Sequence, residues 1–291
     1  MQSGSLNILF VINPASGSKK RIDWRPIIDN FFKPLSHHTH FYIMRGNDEL
    51  SLIKREIEKI NPDRVIAVGG DGTISLVGKI LTNTKITMGI LPGGSANGMA
   101  KELNISNKPE EALKTIVSNN LKCCDAIYIN DEDICFHLSD LGLNARLIRY
   151  FDESKIRGMW NYFRMFGKAF INKKLMRASI HLDNQVIETP AYMIVIANAS
   201  KYGTGAVINP GSRVGDGKFE VVVVKQIAFT EFIKLFWSYK SFDPQKVEIF
   251  ETTKASIFLR RSTPFQVDGE YKGKVKEIKA AIIPGAVNVL V

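Results

Sequence analysis

Ala67-Val68-Gly69-Gly70-Asp71-Gly72-Thr73 decides how this chain folds, because it turns an apolar run into a loop stripped of side chains. Arg64–Val68 reads as a buried strand, and Ile74–Leu81 resumes with apolar residues at helical spacing. Gly69, Gly70 and Gly72 let a ligand approach bare backbone and tolerate positive φ. Asp71 supplies one carboxylate, suited to a magnesium ion or to a ribose or water hydroxyl. Thr73 stands where a helix begins, and the first N–H groups of a helix favour an anion. A tight strand-to-helix turn could use the same residues, so the loop needs company to mean more.

It has company on both sides. Leu6–Ile12 runs into Asn13-Pro14-Ala15-Ser16-Gly17-Ser18-Lys19, and Ile86–Leu91 runs into Pro92-Gly93-Gly94-Ser95-Ala96-Asn97-Gly98. Each loop follows the carboxyl end of a candidate parallel strand, the edge at which open α/β sheets bind ligands. Small hydroxyl and amide side chains plus bare backbone suit a polyphosphate nucleotide. The candidates are Asn13, Pro14, Ser16 and Gly17, then Gly69 to Thr73, then Gly94, Ser95 and Asn97. Neither Gly-x-x-x-x-Gly-Lys-Ser/Thr nor Gly-x-Gly-x-x-Gly occurs, which removes the P-loop and Rossmann cofactor readings.

Around these loops the first 128 residues alternate strand-like and helical runs, the pattern of a doubly wound parallel sheet. Expected strands are Leu6–Ile12, Phe41–Met44, Arg64–Val68 and Ile86–Leu91. Expected helices are Trp24–Phe32, Asp48–Ile60, Ile74–Leu81, Asn97–Leu103 and Pro109–Ser118. Residues 129–291 read as a mostly antiparallel β-rich domain with helices near 142–175 and 229–240, its final strands free to pack on either domain.

With 291 residues, 45% hydrophobic and 23% charged, the composition is that of a soluble globular protein. Three cysteines, two of them adjacent (Cys123, Cys124), form no disulfide framework, so a cytoplasmic location is expected. His37, His38 and His40 read as outward-pointing residues at a strand start rather than metal ligands. The net charge of +10 concentrates in residues 155–182, which hold Arg164, Lys168, Lys173 and Lys174 and no acidic residue. Trp160 and Phe163 are interleaved there, as in a segment that meets an anionic membrane surface; a core-packing helix with a solvated basic face fits equally. Nucleic acid is not expected, and a homodimer is left open.

In order and spacing, Asn13-Pro14-x-Ser16-Gly17, Gly69-Gly70-Asp71-Gly72-Thr73 and Leu91-Pro92-Gly93-Gly94-Ser95-Ala96-Asn97-Gly98 resemble the diacylglycerol kinase catalytic family, which includes sphingosine and ceramide kinases. Asp216-Gly217-Lys218-Phe219-Glu220-Val221 and Val267-Asp268-Gly269-Glu270 extend the resemblance into the second domain. It implies an α/β nucleotide domain of the NAD kinase/diacylglycerol kinase type and a β-rich domain, with ATP and lipid meeting in a cleft. It also implies ATP and Mg2+ as cofactors, a lipid substrate at a membrane surface, and peripheral attachment of a cytoplasmic enzyme. Asp71 then organises magnesium-nucleotide, and Asp268 is the first choice of general base with Glu270 assisting, an order open to reversal. Asp216 would bind a structural magnesium together with the backbone carbonyls of Arg213 and Lys218. Ile74-Ser75-Leu76 departs from the x-Asn-Glu that often follows the glycine loop, and Gly98 stands where a carboxylate is common. An NAD kinase and a catalytically silent regulator of the same fold are the alternatives.

Overall fold

The computed structural model describes residues 4–17, 22–95, 97–152, 167, 171–198, 201–202, 206–207, 214–226 and 246–291. The chain divides into two units, Met1–Cys124 with Gly285–Val291, and Asp125–Pro284. The division falls a few residues before the boundary expected at 128, and the C-terminal residues return to the first unit.

In the first unit, β1 (Asn7–Ile12), α1 (Trp24–Phe32), β2 (His38–Ile43), α2 (Glu49–Ile60), β3 (Arg64–Gly69), α3 (Asp71–Leu81), β4 (Thr87–Pro92), α4 (Gly98–Glu102) and α5 (Pro109–Val117) alternate along the chain. The strands lie in the order β4-β3-β1-β2 and pair in parallel, with Ile12 opposite Val68 and Val68 opposite Leu91. Ile8–Val11 and Val65–Ala67 have no exposed surface, which is why these strands read as unbroken apolar runs. One sheet face packs Ile8, Phe10, Ile66 and Val68 against Trp24, Ile28 and Phe32 of α1 and Leu113 and Ile116 of α5. Trp24, Ile28 and Phe32 follow one another at four-residue spacing, so one stripe of α1 is buried. Truncating Phe10 to alanine in such a core costs about 3–5 kcal/mol.

β5 (Leu121–Ile129) leads into the second unit, followed by β6 (Asp133–Cys135), β7 (Leu138–Gly142), α6 (Leu143–Asp152), β8 (Met176–Leu182), β9 (Val186–Ala191), β10 (Met193–Ala197), β11 (Lys201–Tyr202), β12 (Ala206–Val207), β13 (Phe219–Val224), β14 (Val247–Thr252), β15 (Lys254–Val267) and β16 (Glu270–Leu290). The pairs β7–β10, β10–β13, β13–β14, β7–β15, β15–β16, β8–β15 and β8–β9 are all antiparallel. Leu141, Ile194, Ile196, Phe219, Val221 and Phe265 fill the core they share. The helix expected near 229–240 lies outside the described residues.

Candidate functional site

The carboxyl ends of β1, β3 and β4 bring the three glycine-containing loops to one edge of the first unit. Asn13 N–H donates to Val68 O at 3.0 Å, and Gly93 N–H donates to Gly69 O at 2.7 Å. Asn13 then braces its neighbour, with Nδ2 donating to Thr73 Oγ1 at 3.1 Å and Oδ1 accepting from Ala15 N–H at 2.9 Å. The second and third loops touch backbone to backbone: a Cβ on Gly94 would lie 2.5 Å from Gly70 Cα. A Cβ on Gly17, whose φ is +90°, would lie 2.7 Å from Gly93 O. Glycine at these two positions is therefore demanded by packing.

Gly72 is different. A Cβ there would meet nothing within 4 Å, so packing inside the unit gives no reason for a glycine. It sits in the first turn of the eleven-residue α3, where backbone N–H groups lack helical partners. The N–H groups of Ser16, Thr73 and Gly94 are already donated, to Asn13 O, Gly70 O and Asn97 Oδ1. Those of Gly17, Gly72 and Ser95 have no acceptor among the described residues. Asp71 is half-buried, and its Oδ1 accepts Met99 N–H at 3.1 Å, so one carboxylate oxygen caps α4. Asn97, at φ +51°, holds the third loop through its bond to Gly94, while Pro14 and Ser95 are exposed. Sequence reasoning passed over Trp24. Its indole Nε1 is buried with no hydrogen-bond partner among the described residues, 3.4 Å from the place of a Gly93 Cβ.

In the second unit, Asp268 and Gly269 form the two-residue turn between β15 and β16, with Val267 opposite Glu270. Both have positive φ, +47° and +88°, the signature of a tight hairpin turn. The Asp268 carboxylate accepts N–H bonds from Phe136 (2.9 Å), His137 (3.0 Å) and Leu138 (3.1 Å), and the Cys135 thiol at 3.2 Å. Three of the four donors meet Oδ1, and Phe136 N–H meets Oδ2. Burial, and then the charge of Asp268, push the Cys135 thiol well above its usual range.

Glu270, two residues on, keeps a 67% exposed side chain whose one ionic contact among the described residues is Lys272 Nζ, at 3.3 Å. Lys272 also lies 3.0 Å from Asp133. Burial alone would lower the lysine's pKa, but the bond to Asp133 and the charges of both carboxylates outweigh it, and Lys272 is held protonated. Behind the turn, Gln266 is fully buried, and its Oε1 accepts Gly269 N–H at 2.7 Å.

Asp216 is exposed, and its Oδ1 accepts Lys218 N–H at 3.1 Å. Gly217 N–H donates instead to Oδ2 of the buried Asp125, at 2.7 Å. Asp125 was legible only as one acid inside the run Cys124-Asp125-Ala126-Ile127. Arg213, Ala96 and, of the basic segment, residues 155–166 and 168–170 lie outside the described residues. His37 Nδ1 accepts Leu6 N–H at 3.2 Å.

Two family models divide the chain close to the first unit boundary, the second running on through Gly285–Val291 of the first unit. The diacylglycerol kinase catalytic domain matches residues 7–129, and the YegS C-terminal NAD kinase beta sandwich-like domain matches residues 139–291. The chain belongs to the diacylglycerol kinase catalytic family, in its YegS-like two-domain form. A Staphylococcus carnosus member named "Putative lipid kinase" is 26% identical over 220 residues, 72% of this chain and 71% of its own. A Chromohalobacter salexigens member named "Probable lipid kinase YegS-like" is 25% identical over 250 residues, 83% of this chain and 79% of its own. A solved Bacillus anthracis structure described as a diacylglycerol kinase shares the fold, with a TM-score of 0.72 at 17% identity, covering 98% of this chain and 96% of its own. The family's architecture is an α/β domain followed by a mostly antiparallel β-sandwich domain, and it is a family of kinases.

Proposed function

We propose that the protein is an ATP-dependent lipid kinase that transfers the γ-phosphate to a hydroxyl of diacylglycerol or, as second choice, of a sphingoid base. The observation that carries this reading is Gly72, a glycine at a helix N-terminus that packing does not require, beside two loops with unspent N–H groups. A phosphate fits such a place by charge and by reach. The N–H groups of Gly17, Gly72 and Ser95 would hold phosphate oxygens, and Asn13 and Asn97 fix the loops that present them. The donors suit magnesium, a hard cation that takes one or two carboxylates and keeps several waters. Asp71 would hold it by the carboxylate oxygen that does not cap α4, and the ion would neutralise phosphate charge. At the second expected metal position, Asp216 and the Lys218 carbonyl supply the same kind of oxygen.

For the base, the geometry favours Glu270 over Asp268, the reverse of the first choice from sequence. Three donors meet Asp268 Oδ1 and one meets Oδ2, so this carboxylate is committed to holding residues 135–138 in place. Glu270 has a 67% exposed side chain and a single ionic contact among the described residues, so its carboxylate is open to the proton of an attacking hydroxyl. Asp268 then fixes the turn on which Glu270 stands. Peripheral contact with an anionic membrane is part of the proposal: Ile171 and Leu175 are 82% and 53% exposed, beside Lys173 and Lys174. Among the described residues no helix is long and apolar enough to cross a membrane.

Radiolabelled ATP with diacylglycerols, monoacylglycerols, sphingoid bases, ceramides and NAD tests the reading. Label in one lipid class supports it, and label in NAD alone replaces it with the nucleotide kinase. ATP binding without any transfer leaves a regulator of the same fold.

A further inference from the structure

Gln266 sits behind the Asp268–Glu270 turn with both ends of its amide engaged. Its Nε2 donates to Asp140 Oδ2, and its Oε1 accepts Gly269 N–H at 2.7 Å. The orientation is forced, since a carboxylate only accepts and an N–H only donates. Asp140 in turn accepts Asn144 Nδ2 at 2.6 Å and Ala145 N–H at 2.8 Å, in the first turn of α6. Gln266 and Asp140 are both fully buried and stand opposite each other where β15 pairs with β7. Ser139 Oγ, donating to Gln266 O at 2.6 Å, fixes the backbone of the same residue.

We propose that Gln266 is a positioning residue for Glu270, its amide tying the peptide between Asp268 and Gly269 to the N-terminus of α6 through Asp140. The plane of that peptide sets the direction in which the chain leaves the turn, and hence where the next side chain points. Asp268 is strained at φ +47°, so the turn stays in place only while its surroundings hold it. Two independent clamps do so: the donors of residues 135–138 on the Asp268 carboxylate, and Gln266 on the Gly269 amide. The inference rests on the kinase reading with Glu270 as base, and it adds that α6 and the catalytic carboxylate share one buried polar chain.

Gln266→Glu is the discriminating change. It keeps size and shape but sets a carboxylate against that of Asp140, with no donor between them. The pair Asp140→Asn with Gln266→Glu restores one donor and one acceptor with their positions exchanged, with the Asn144 amide flipped so that its Oδ1 accepts the second hydrogen of the new amide. Gln266→Glu alone is expected to lower kcat on the lipid roughly 10- to 100-fold, the scale of a small misplacement of a reacting group. KM for ATP should stay unchanged, and hydrogen exchange at the Gly269 amide should speed up. Its kcat should recover as pH falls and one proton is shared between the two carboxylates. The double variant should recover kcat and Gly269 protection at neutral pH. A folded Gln266→Glu with wild-type kcat overturns the proposal, as does a folded double variant no faster and no better protected than the single one. If Gln266→Glu does not fold, a folded double variant with near wild-type kcat still supports the exchange of roles, and a folded but slow one overturns it. A wild type inactive on every lipid overturns the kinase reading. Gly269 exchange then decides the clamp alone, with unaltered protection in Gln266→Glu counting against it.

Discussion

The Cys135 thiol donates to Asp268 Oδ1 across 3.2 Å, joining the end of β6 to the β15–β16 turn through residues far apart in sequence. Burial and the neighbouring carboxylate both disfavour the thiolate. Cys135 should therefore resist thiol reagents in the folded protein. Cys124 is buried as well, and Cys123 is exposed. A disulfide reagent at pH 8 is expected to label Cys123 quickly and the other two only on unfolding. The stability tied to Cys135 has a defined sign. Its folded pKa is raised, so the contribution is complete below the unfolded thiol's value, about 8.5, and is lost as pH rises through the folded one. Cys135→Ser should flatten the alkaline fall in thermal stability; an unchanged alkaline limb would remove Cys135 from the account.

Asp71→Asn should separate structure from catalysis. The amide oxygen of asparagine can still accept Met99 N–H, so α4 keeps its cap and the melting temperature should hold. The lost charge should lower kcat/KM by roughly 10²–10³-fold, the scale of one preorganised electrostatic group. Asp71→Ala, which also removes the cap, should add about 1 kcal/mol of destabilisation. Near wild-type turnover in a folded Asp71→Asn would remove Asp71 from the phosphate site.

The fold of the first unit was legible because β1, β3 and β4 are buried on both faces, and the three loops follow these strands in the chain. Much of the second unit was less so. β15 runs unbroken through the polar run Arg260-Arg261-Ser262, and the register shift between Phe258 and Thr263 absorbs it. β9 carries little apolar signal because, among the described residues, it pairs with β8 alone, and Glu188 and Pro190 are tolerated at such an edge. The three glycine-containing loops could be read as a local pattern. The difference between Asp268 and Glu270 could not, because the donors that surround Asp268 come from positions 130 to 133 residues earlier.

The loop after β2 gives a prediction of another kind. Glu49 accepts Tyr42 OH at 2.8 Å, Gly46 N–H at 2.5 Å and the N–H of Arg45. Burial alone would raise the Glu49 pKa, but these bonds outweigh it and the carboxyl is held below its usual value. Its contribution to stability is therefore present above the unfolded pKa and lost as pH falls through the folded one. Tyr42 is pushed up to about 12 by burial and by Glu49, so its contribution is lost as pH rises through that value. Glu49→Gln should weaken acid sensitivity and bring the Tyr42 titration down toward 10, as followed by phenolate absorbance. A late-titrating tyrosine that persists in Glu49→Gln would assign the shift to burial alone.

The sharpest test is to exchange the two carboxylates of the Asp-Gly-Glu turn for amides one at a time. In Asp268→Asn the new NH2 group must face N–H donors from Phe136 or from His137 and Leu138. At least one bond becomes a donor–donor clash, at a cost of about 1–3 kcal/mol for the buried groups left unpaired. The melting temperature should fall, and turnover should fall with it as the turn loosens. In Glu270→Gln the side chain is exposed and loses only its ionic contact with Lys272, so stability should scarcely change. Lipid phosphorylation should nonetheless drop roughly 10²–10⁴-fold, the scale of a lost general base. Both variants should bind ATP like the wild type, since neither side chain is assigned to the nucleotide loops. The assignment rests on the contrast between them: a stable but inactive Glu270→Gln beside a destabilised Asp268→Asn. A stable, inactive Asp268→Asn with an active Glu270→Gln would return the base to Asp268 and leave Glu270 as its assistant.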